Sequence, residues 1–328
     1  MKIAANTATS RIHSSSIFSD NDTIEKAMVN SDRLNHIANK DHNAPIGLFD
    51  SGIGGLSVYL HLAQQLPHER YIYYADTLHV PYGNRDSEDI KALTLTAVEW
   101  LYQQGCKLIV IACNSASAHA LEIARQHYPQ LPIVGLVPAV KPAVLASKSG
   151  HVAVLATKAT LNGTLLDDVI ATVASPSGTT VTKYFDPQLV PWVELGMPDN
   201  SETAQNLRQQ LQLFAKDGID QLVLGCTHYP FFKDFVQQEI EAQKLSMQVV
   251  DSGQAIAERV KQLLITNQLS AKTHASLDNN ELETNAIAKN VRQPLVFYAT
   301  KYDTSLDMLL PRLLGKHTPL RYYSYPDC

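Results

Sequence analysis

The sequence predicts an α/β protein made of two similar domains, each a mostly parallel sheet flanked by helices, related by a pseudo-twofold axis with a site between them. Two observations support this fold class. From Pro45 onward, short apolar runs of strand length alternate with segments of helical periodicity. In addition, a pattern of helix-like segment, glycine and apolar run ending in cysteine occurs twice, at Leu108–Ser117 and Gln221–Pro230, which indicates two related halves.

Length and composition exclude several classes of protein. The chain has 328 residues, which at roughly 150 residues per domain suggests about two domains. A net charge of −5 provides no basic field for nucleic acid, and no apolar run approaches the length of a membrane span. The four cysteines form no CxxC pair, which favours free thiols and a cytoplasmic protein. Of these, Cys106 is expected to be a small buried hydrophobe, and Cys328 has no assigned role.

The chain is predicted to divide into three parts. Residues 1–44, rich in Ser, Thr and Ala at their start, are expected to be a flexible N-terminal extension. Residues 45–140 together with 251–328 form the first α/β domain, and residues 141–250 form the second. Within the first domain, the polar stretch 270–290 is expected to be a flexible insertion.

Polar and small residues follow the apolar runs. The run IGLFD ends in Asp50, and the glycine turn SGIGG then precedes a helical segment, a combination that cradles anions. It lacks the GxGxxG and Walker patterns, so nucleotide binding is disfavoured, and a carboxylate would suit the cradle equally well. Tyr82, between Pro81 and Gly83, could aim its phenol or its backbone at a ligand, or could simply be a packed loop aromatic. Residues Thr182–Met197 are predicted to be a loop that carries Glu194.

Cys113 and Cys226 end the duplicated strands, and open α/β sheets bind ligands at that end of their strands. Asp50, at the end of an adjacent predicted strand, could exchange a proton with Cys113, and His228 could do so with Cys226. Asp50 could also cap the following helix, and His228 could instead make a structural hydrogen bond.

Three chemistries fit two thiols. A disulfide redox couple usually has its cysteines close in sequence, and these are not. Nucleophilic Cys–His catalysis, as in a hydrolase, needs only one cysteine and leaves the other without a task. A two-base reaction at a carbon acid uses both, because one thiolate removes a proton from one face and the opposite thiol returns one to the other. A non-catalytic amino-acid-binding module is a further alternative. Metal binding is disfavoured, since no His or Cys pair has ligand spacing.

The motifs FDSGIGGLS, YYADTLHVPYGNR, ACNSASA, GLVPAVKPA and LGCTHYP, in this order, resemble the glutamate racemases, cofactor-independent isomerases that make D-glutamate for peptidoglycan. The resemblance implies Cys113 and Cys226 as the acid/base pair, supported by Asp50, Glu194 and His228. It also implies a set of substrate contacts: Asp50, Ser51, Tyr82, Gly83, Asn114, Ser115, Thr227 and His228. The family motif CNT reads CNS here, which keeps the hydroxyl.

The resemblance therefore implies interconversion of L- and D-glutamate without cofactor or metal, in the service of cell-wall biogenesis and cell shape. An aspartate or related amino-acid racemase is the alternative with the same paired cysteines. Some family members with extensions are activated by UDP-MurNAc-L-alanine, so activation by this precursor is an open expectation here, as is a homodimer. No nucleic-acid or membrane partner is expected.

Overall fold

The computed structural model describes residues 41–271, 295–301, 303–315 and 320–324. Most of the predicted N-terminal extension, nearly all of the predicted insertion at 270–290, and Cys328 lie outside these residues. None of the helices within the described ranges has the length and apolar character needed to cross a membrane.

The strands form two sheets in which every pair runs parallel. In chain order they are β1 Ile46–Asp50, β2 Tyr71–Ala75, β3 Leu108–Ile111, β4 Ile133–Gly135, β5 His151–Ala156, β6 Thr180–Tyr184, β7 Gln221–Gly225, β8 Gln248–Val250, β9 Leu295–Ala299 and β10 Leu320–Ser324. The first sheet has the order β10-β9-β2-β1-β3-β4, and the second has the order β6-β5-β7-β8.

The two sheets share one topology. The order β2-β1-β3-β4 in the first sheet matches β6-β5-β7-β8 in the second, so β1 corresponds to β5 and β3 to β7. The register agrees, because Phe49 pairs with Ile111 two residues before Cys113, and Leu155 pairs with Leu224 two residues before Cys226. The prediction of two similar α/β halves is confirmed, and the two cysteines follow equivalent strands.

Helices cover the faces of both sheets. In chain order they are α1 Leu56–Gln65, α2 Ser87–Gln103, α3 Asn114–His127, α4 Val140–Ala146, α5 Lys158–Leu161, α6 Thr164–Val169, α7 Leu189–Glu194, α8 Glu202–Lys216, α9 Lys233–Ala242, α10 Gly253–Thr266 and α11 Ser305–Leu314. Short 3₁₀ turns occur at Tyr82–Asn84, Ser175–Ser177 and Tyr229–Phe232, and a π-helical turn at Ile170–Ala174.

Burial explains the continuous apolar strands. Every residue of β1, β3 and β7 is buried, as expected for parallel sheets covered on both faces. Helices α1, α10 and α11 pack into one core with the first sheet, and α7, α8 and α9 pack into another with the second. We call the first sheet with its helices the first lobe, and the second sheet with its helices the second lobe. The exact domain boundaries at residues 140 and 250 stay a prediction.

The segment Thr182–Met197 is not the predicted loop. Strand β6 occupies Thr180–Tyr184 and helix α7 occupies Leu189–Glu194. The strand lies at the edge of its sheet and has no buried residue, so it lacks the apolar run that identifies the inner strands. In α7, Pro191 lies in the first turn, where proline is tolerated because the N–H it lacks has no partner inside the helix.

Candidate active site

Cys113 is the N-cap of α3, directly after the end of β3. Its sulfur accepts a hydrogen bond from the backbone N–H of Ala116 at 3.5 Å and lies 3.5 Å from the hydroxyl of Ser51. The residue is only 4% exposed. Burial, followed by the charge of nearby Asp50, raises the pKa of the Cys113 thiol. The raised pKa favours the protonated thiol over the thiolate in the free protein.

Asp50, the last residue of β1, is fully buried beside Cys113. Its carboxylate accepts hydrogen bonds from the backbone N–H groups of Ser51 at 2.9 Å and Gly55 at 2.7 Å, and from the Tyr73 hydroxyl at 3.3 Å. Burial raises the pKa of the Asp50 carboxyl, against the opposing effects of the His228 charge and of hydrogen bonds that include one with Cys113. Asp50 thus stabilises the glycine turn through its hydrogen bonds and also interacts with the Cys113 thiol.

Cys226 follows β7, and its partner is an imidazole rather than a carboxyl group. His228, two residues further along the chain, interacts electrostatically with Cys226, and its Nε2 donates to Oε1 of Glu194 at 3.1 Å. Burial alone would lower the pKa of His228, but hydrogen bonds and charges from Cys226 and Glu194 outweigh burial and raise it to about 10. The imidazole is therefore cationic at neutral pH, where it can stabilise negative charge on the sulfur.

The lobes meet at these two cysteine turns. The glycine turn of the first lobe presses on the second lobe, because a Cβ atom at Gly54 would lie 2.4 Å from Nδ1 of His228 and 2.5 Å from Oγ1 of Thr227. Nearby, the Ser57 hydroxyl donates to the carbonyl of Thr227 at 2.8 Å. On the other side, the Ser115 hydroxyl lies 2.9 Å from that of Thr157. Residues from both lobes therefore form one site.

The phenol of Tyr82 is hydrogen-bonded within the protein. The buried hydroxyl donates to Oδ2 of Asp76 at 2.6 Å, and the backbone at Gly83 lies next to Thr157 of the second lobe. Asp76 also accepts from the Thr300 hydroxyl at 2.9 Å and pairs with Nδ1 of His79 at 2.8 Å. Asp76 therefore fixes the loop that brings Tyr82 and Gly83 to the site.

Asn114 provides an unused donor. Its side chain is buried, and Nδ2 has no hydrogen-bond partner among the described residues. Asn114 lines a small, partly open pocket together with Ser57, Cys226 and Thr227. A buried amide without a partner is costly, so this donor is available for a polar group of a bound ligand.

The sequence-predicted residues therefore meet at one place, in two groups. The Cys113 group contains Asp50, Ser51, Asn114 and Ser115, and the Cys226 group contains Thr227, His228 and Glu194. Sequence reasoning did not select Thr157, Asp76 or Ser57. The restart of the strand–turn–helix pattern at Val152 could have indicated Thr157, because it places that residue in the turn that corresponds to Ser51. No sequence signal distinguished Asp76 or Ser57.

The chain is similar to known racemases. The family model described as Asp/Glu/hydantoin racemase matches residues 46–260. The glutamate racemase of Deinococcus radiodurans is 51% identical over 220 residues, which cover 67% of this chain and 74% of that protein. The glutamate racemase of Ectopseudomonas mendocina is 41% identical over 285 residues, which cover 85% and 98%.

Solved structures give the same result. The glutamate racemase of Francisella tularensis in complex with D-glutamate superposes with a TM-score of 0.71 at 25% identity, covering 87% of this chain and 98% of that one. The Escherichia coli glutamate racemase in complex with L-glutamate and the activator UDP-MurNAc-ala gives a TM-score of 0.67 at 28% identity, covering 86% and 98%.

Proposed function

The chain belongs to the glutamate racemases of the Asp/Glu/hydantoin racemase family, and is thus an isomerase; we propose that Cys113 and Cys226 are its two acid/base residues. In this mechanism one cysteine, as thiolate, takes the proton from Cα of glutamate on one face. The opposite cysteine, as thiol, gives a proton to the other face, which inverts the stereocentre. The two residues exchange roles when the reaction runs in reverse.

One observation carries this proposal. Cys113 and Cys226 follow topologically equivalent strands of two lobes, and the residues around both thiols touch across the boundary between the lobes. A duplicated unit of this kind supplies two comparable thiols to one ligand from opposite sides. A nucleophile–base pair would need only one of them.

The surroundings of the two sulfur atoms favour different protonation states, a thiol at Cys113 and a thiolate at Cys226. Cys113 is buried beside Asp50, which favours the protonated thiol. Cys226 lies beside His228, whose positive charge Glu194 supports. We infer that Asp50 assists proton exchange at Cys113, and that His228 with Glu194 does so at Cys226.

Removal of a proton from Cα of an amino acid requires stabilisation of carbanion character, and we assign this task to donors fixed before the substrate binds. The Asn114 amide is the clearest of these, because it is buried without a partner. The hydroxyls of Ser51, Ser115 and Thr227 and the backbone at Tyr82 and Gly83 complete the proposed contacts to the two carboxylates. The mechanism uses no metal and no cofactor.

The relatives support the proposed substrate. Solved relatives hold D-glutamate, or L-glutamate with UDP-MurNAc-ala, so glutamate is the proposed substrate and this precursor a candidate activator. A cytoplasmic enzyme that supplies D-glutamate for peptidoglycan is the corresponding biological role. A homodimer and the domain division at residues 140 and 250 belong to the same proposal.

The test is deuterium incorporation at Cα in D₂O, followed by NMR, together with loss of optical activity, for wild type, Cys113→Ala and Cys226→Ala. Each variant is expected to lose racemisation, because each lacks the group for one face. Cys106→Ala is the matched control, since Cys106 is equally buried but lies against Gly47 in the first lobe. Full racemisation by either site variant would overturn the two-base mechanism.

Two other outcomes would favour the alternative functions. A covalent acyl adduct on Cys226 with activity independent of Cys113 would favour a hydrolase, and faster turnover of aspartate would change the substrate.

A further inference from the structure

Arg312 of α11 lies against the end of α7, the helix whose last residue is Glu194. A Cβ atom at Gly196 would lie 2.5 Å from Nη1 and 2.6 Å from Nη2 of Arg312. The guanidinium of Arg312, an exposed residue, therefore lies directly beside the Gly196 backbone. This contact joins the two lobes, because α11 packs in the core of the first lobe and α7 in that of the second.

The turn that follows α7 has a defined shape. The N–H of Gly196 donates to the carbonyl of Val193 at 3.0 Å, and the N–H of Met197 donates to that of Trp192 at 2.8 Å. Gly196 has a φ of 105°, which glycine adopts readily. Gly196 lies two residues after Glu194 and is hydrogen-bonded to the last turn of α7. A contact that fixes Gly196 therefore also fixes the backbone of Glu194.

Glu194 needs such support. Its side chain is 44% exposed, yet it accepts the hydrogen bond from His228, which is only 9% exposed. An ion pair alone holds an exposed carboxylate only weakly. The contact of Glu194 with His228 therefore depends on the position of the Glu194 backbone. A cation near the carboxyl end of a helix is also favourable for the unpaired carbonyl groups there.

We propose that Arg312 is a positioning residue of this racemase, which holds the end of α7 from the first lobe and thereby keeps Glu194 on His228. The inference rests on the proposed role of His228 beside Cys226. Arg312 is itself exposed, but its backbone is anchored, since Leu309 and Leu313 beside it on α11 are buried in the first-lobe core. The geometry around Cys226 would thus depend on the contact that Arg312 of the first lobe makes with the second lobe.

The test is a double-mutant cycle between Arg312→Gln and Glu194→Gln, with kcat and KM measured across pH. Arg312→Gln keeps the stem and a planar polar end but removes the charge. We expect it to lower kcat by about two- to twentyfold, the lower part of the range of couplings within one network, and to add almost nothing in the Glu194→Gln background. Arg312→Lys should restore part of the activity. Arg259→Gln is the control, because Arg259 is an exposed first-lobe arginine that contacts Gln262.

The pH profile separates this role from simple stabilisation. The ionisable groups that face His228 are Cys226, Glu194 and Asp50. Loss of Glu194 support should lower the pKa of His228, so the fall in kcat on the alkaline side should begin at lower pH in both Glu194→Gln and Arg312→Gln. The inference would be overturned if Arg312→Gln lowered kcat equally in wild type and in Glu194→Gln. It would also be overturned if the alkaline side of the kcat–pH profile did not move. The two-base mechanism would survive that result provided that both cysteine variants are inactive.

Discussion

The hydroxyl of Ser115 lies 2.9 Å from that of Thr157, and this bond crosses from the first lobe to the second directly beside Cys113. Thr157 also caps α5 through the N–H of Thr160. One threonine therefore starts a helix in one lobe and holds the cysteine turn of the other.

Thr157→Val should test this bond. Valine keeps the shape but removes the hydroxyl, so we expect kcat/KM for glutamate to fall by about three- to tenfold, the worth of one hydrogen bond. Steady-state kinetics measure the effect, and a thermal melt shows whether the fold is intact. Thr172→Val is the control, because the exposed Thr172 hydroxyl only donates to the Asp168 carbonyl outside the site. Unchanged kinetics would mean that the lobes are aligned without this contact.

Gly54→Ala should impair catalysis sharply. The added methyl group would lie 2.4 Å from the imidazole of His228, and displacement of a catalytic group by about 1 Å can cost about 10²-fold in rate. The matched control is Gly52→Ala in the same turn, whose methyl group would meet Val80 at an ordinary 3.4 Å. Comparable activity of the two variants would show that the lobes can separate without loss of function.

Tyr82→Phe should affect stability more than catalysis. It removes the donor to buried Asp76, so the free energy of unfolding should fall by about 1–3 kcal/mol, while KM for glutamate should change little. Denaturant unfolding and steady-state kinetics test the two parts. Tyr71→Phe offers a comparison, since its buried hydroxyl bonds to the Leu62 carbonyl away from the site. A large rise in KM at unchanged stability would instead assign the phenol to substrate binding.

Stability should fall with rising pH between the ordinary pKa of histidine and the pKa of about 10 held by His228 in the fold. The sign follows from linkage: the folded protein binds a proton that the unfolded chain has released, so its contribution is complete below pH 6.5 and is lost as pH rises through about 10. Thermal melts at several pH values should show this slope, and His228→Gln should flatten it. An equal slope in the variant would assign the dependence to other groups.

The strands and the two cysteines were predictable because both leave strong patterns. Buried parallel strands such as β3 and β7 are continuous apolar runs, and a repeated run ending in cysteine marks the equivalent positions. Edge strand β6 and helix α7 were missed because neither has such a run, and because the two prolines at 187 and 191 suggested a loop.

Contacts between the lobes were beyond the reach of sequence patterns. The spacing of residues along the chain says that Ser115 follows Cys113, but not that Thr157 will meet it, since that depends on how the two sheets face each other. The same holds for Arg312 and Gly196, which lie in different lobes. For Tyr82 the sequence allowed a phenol contact, a backbone contact or a packed loop aromatic, and it could not show that the phenol bonds to Asp76.

The strands that flank the cysteines match in backbone but not in chemistry. Strand β1 ends in Asp50, whereas its counterpart β5 ends in Ala156. In the proposed two-base mechanism, a substrate and its mirror image therefore meet different acids and bases. Enantiomers have equal free energies in water, so the equilibrium constant is one and kcat/KM must be the same in both directions. The chemical asymmetry can then be expressed only as compensating differences in kcat and KM, with the more slowly converted enantiomer also the more tightly held.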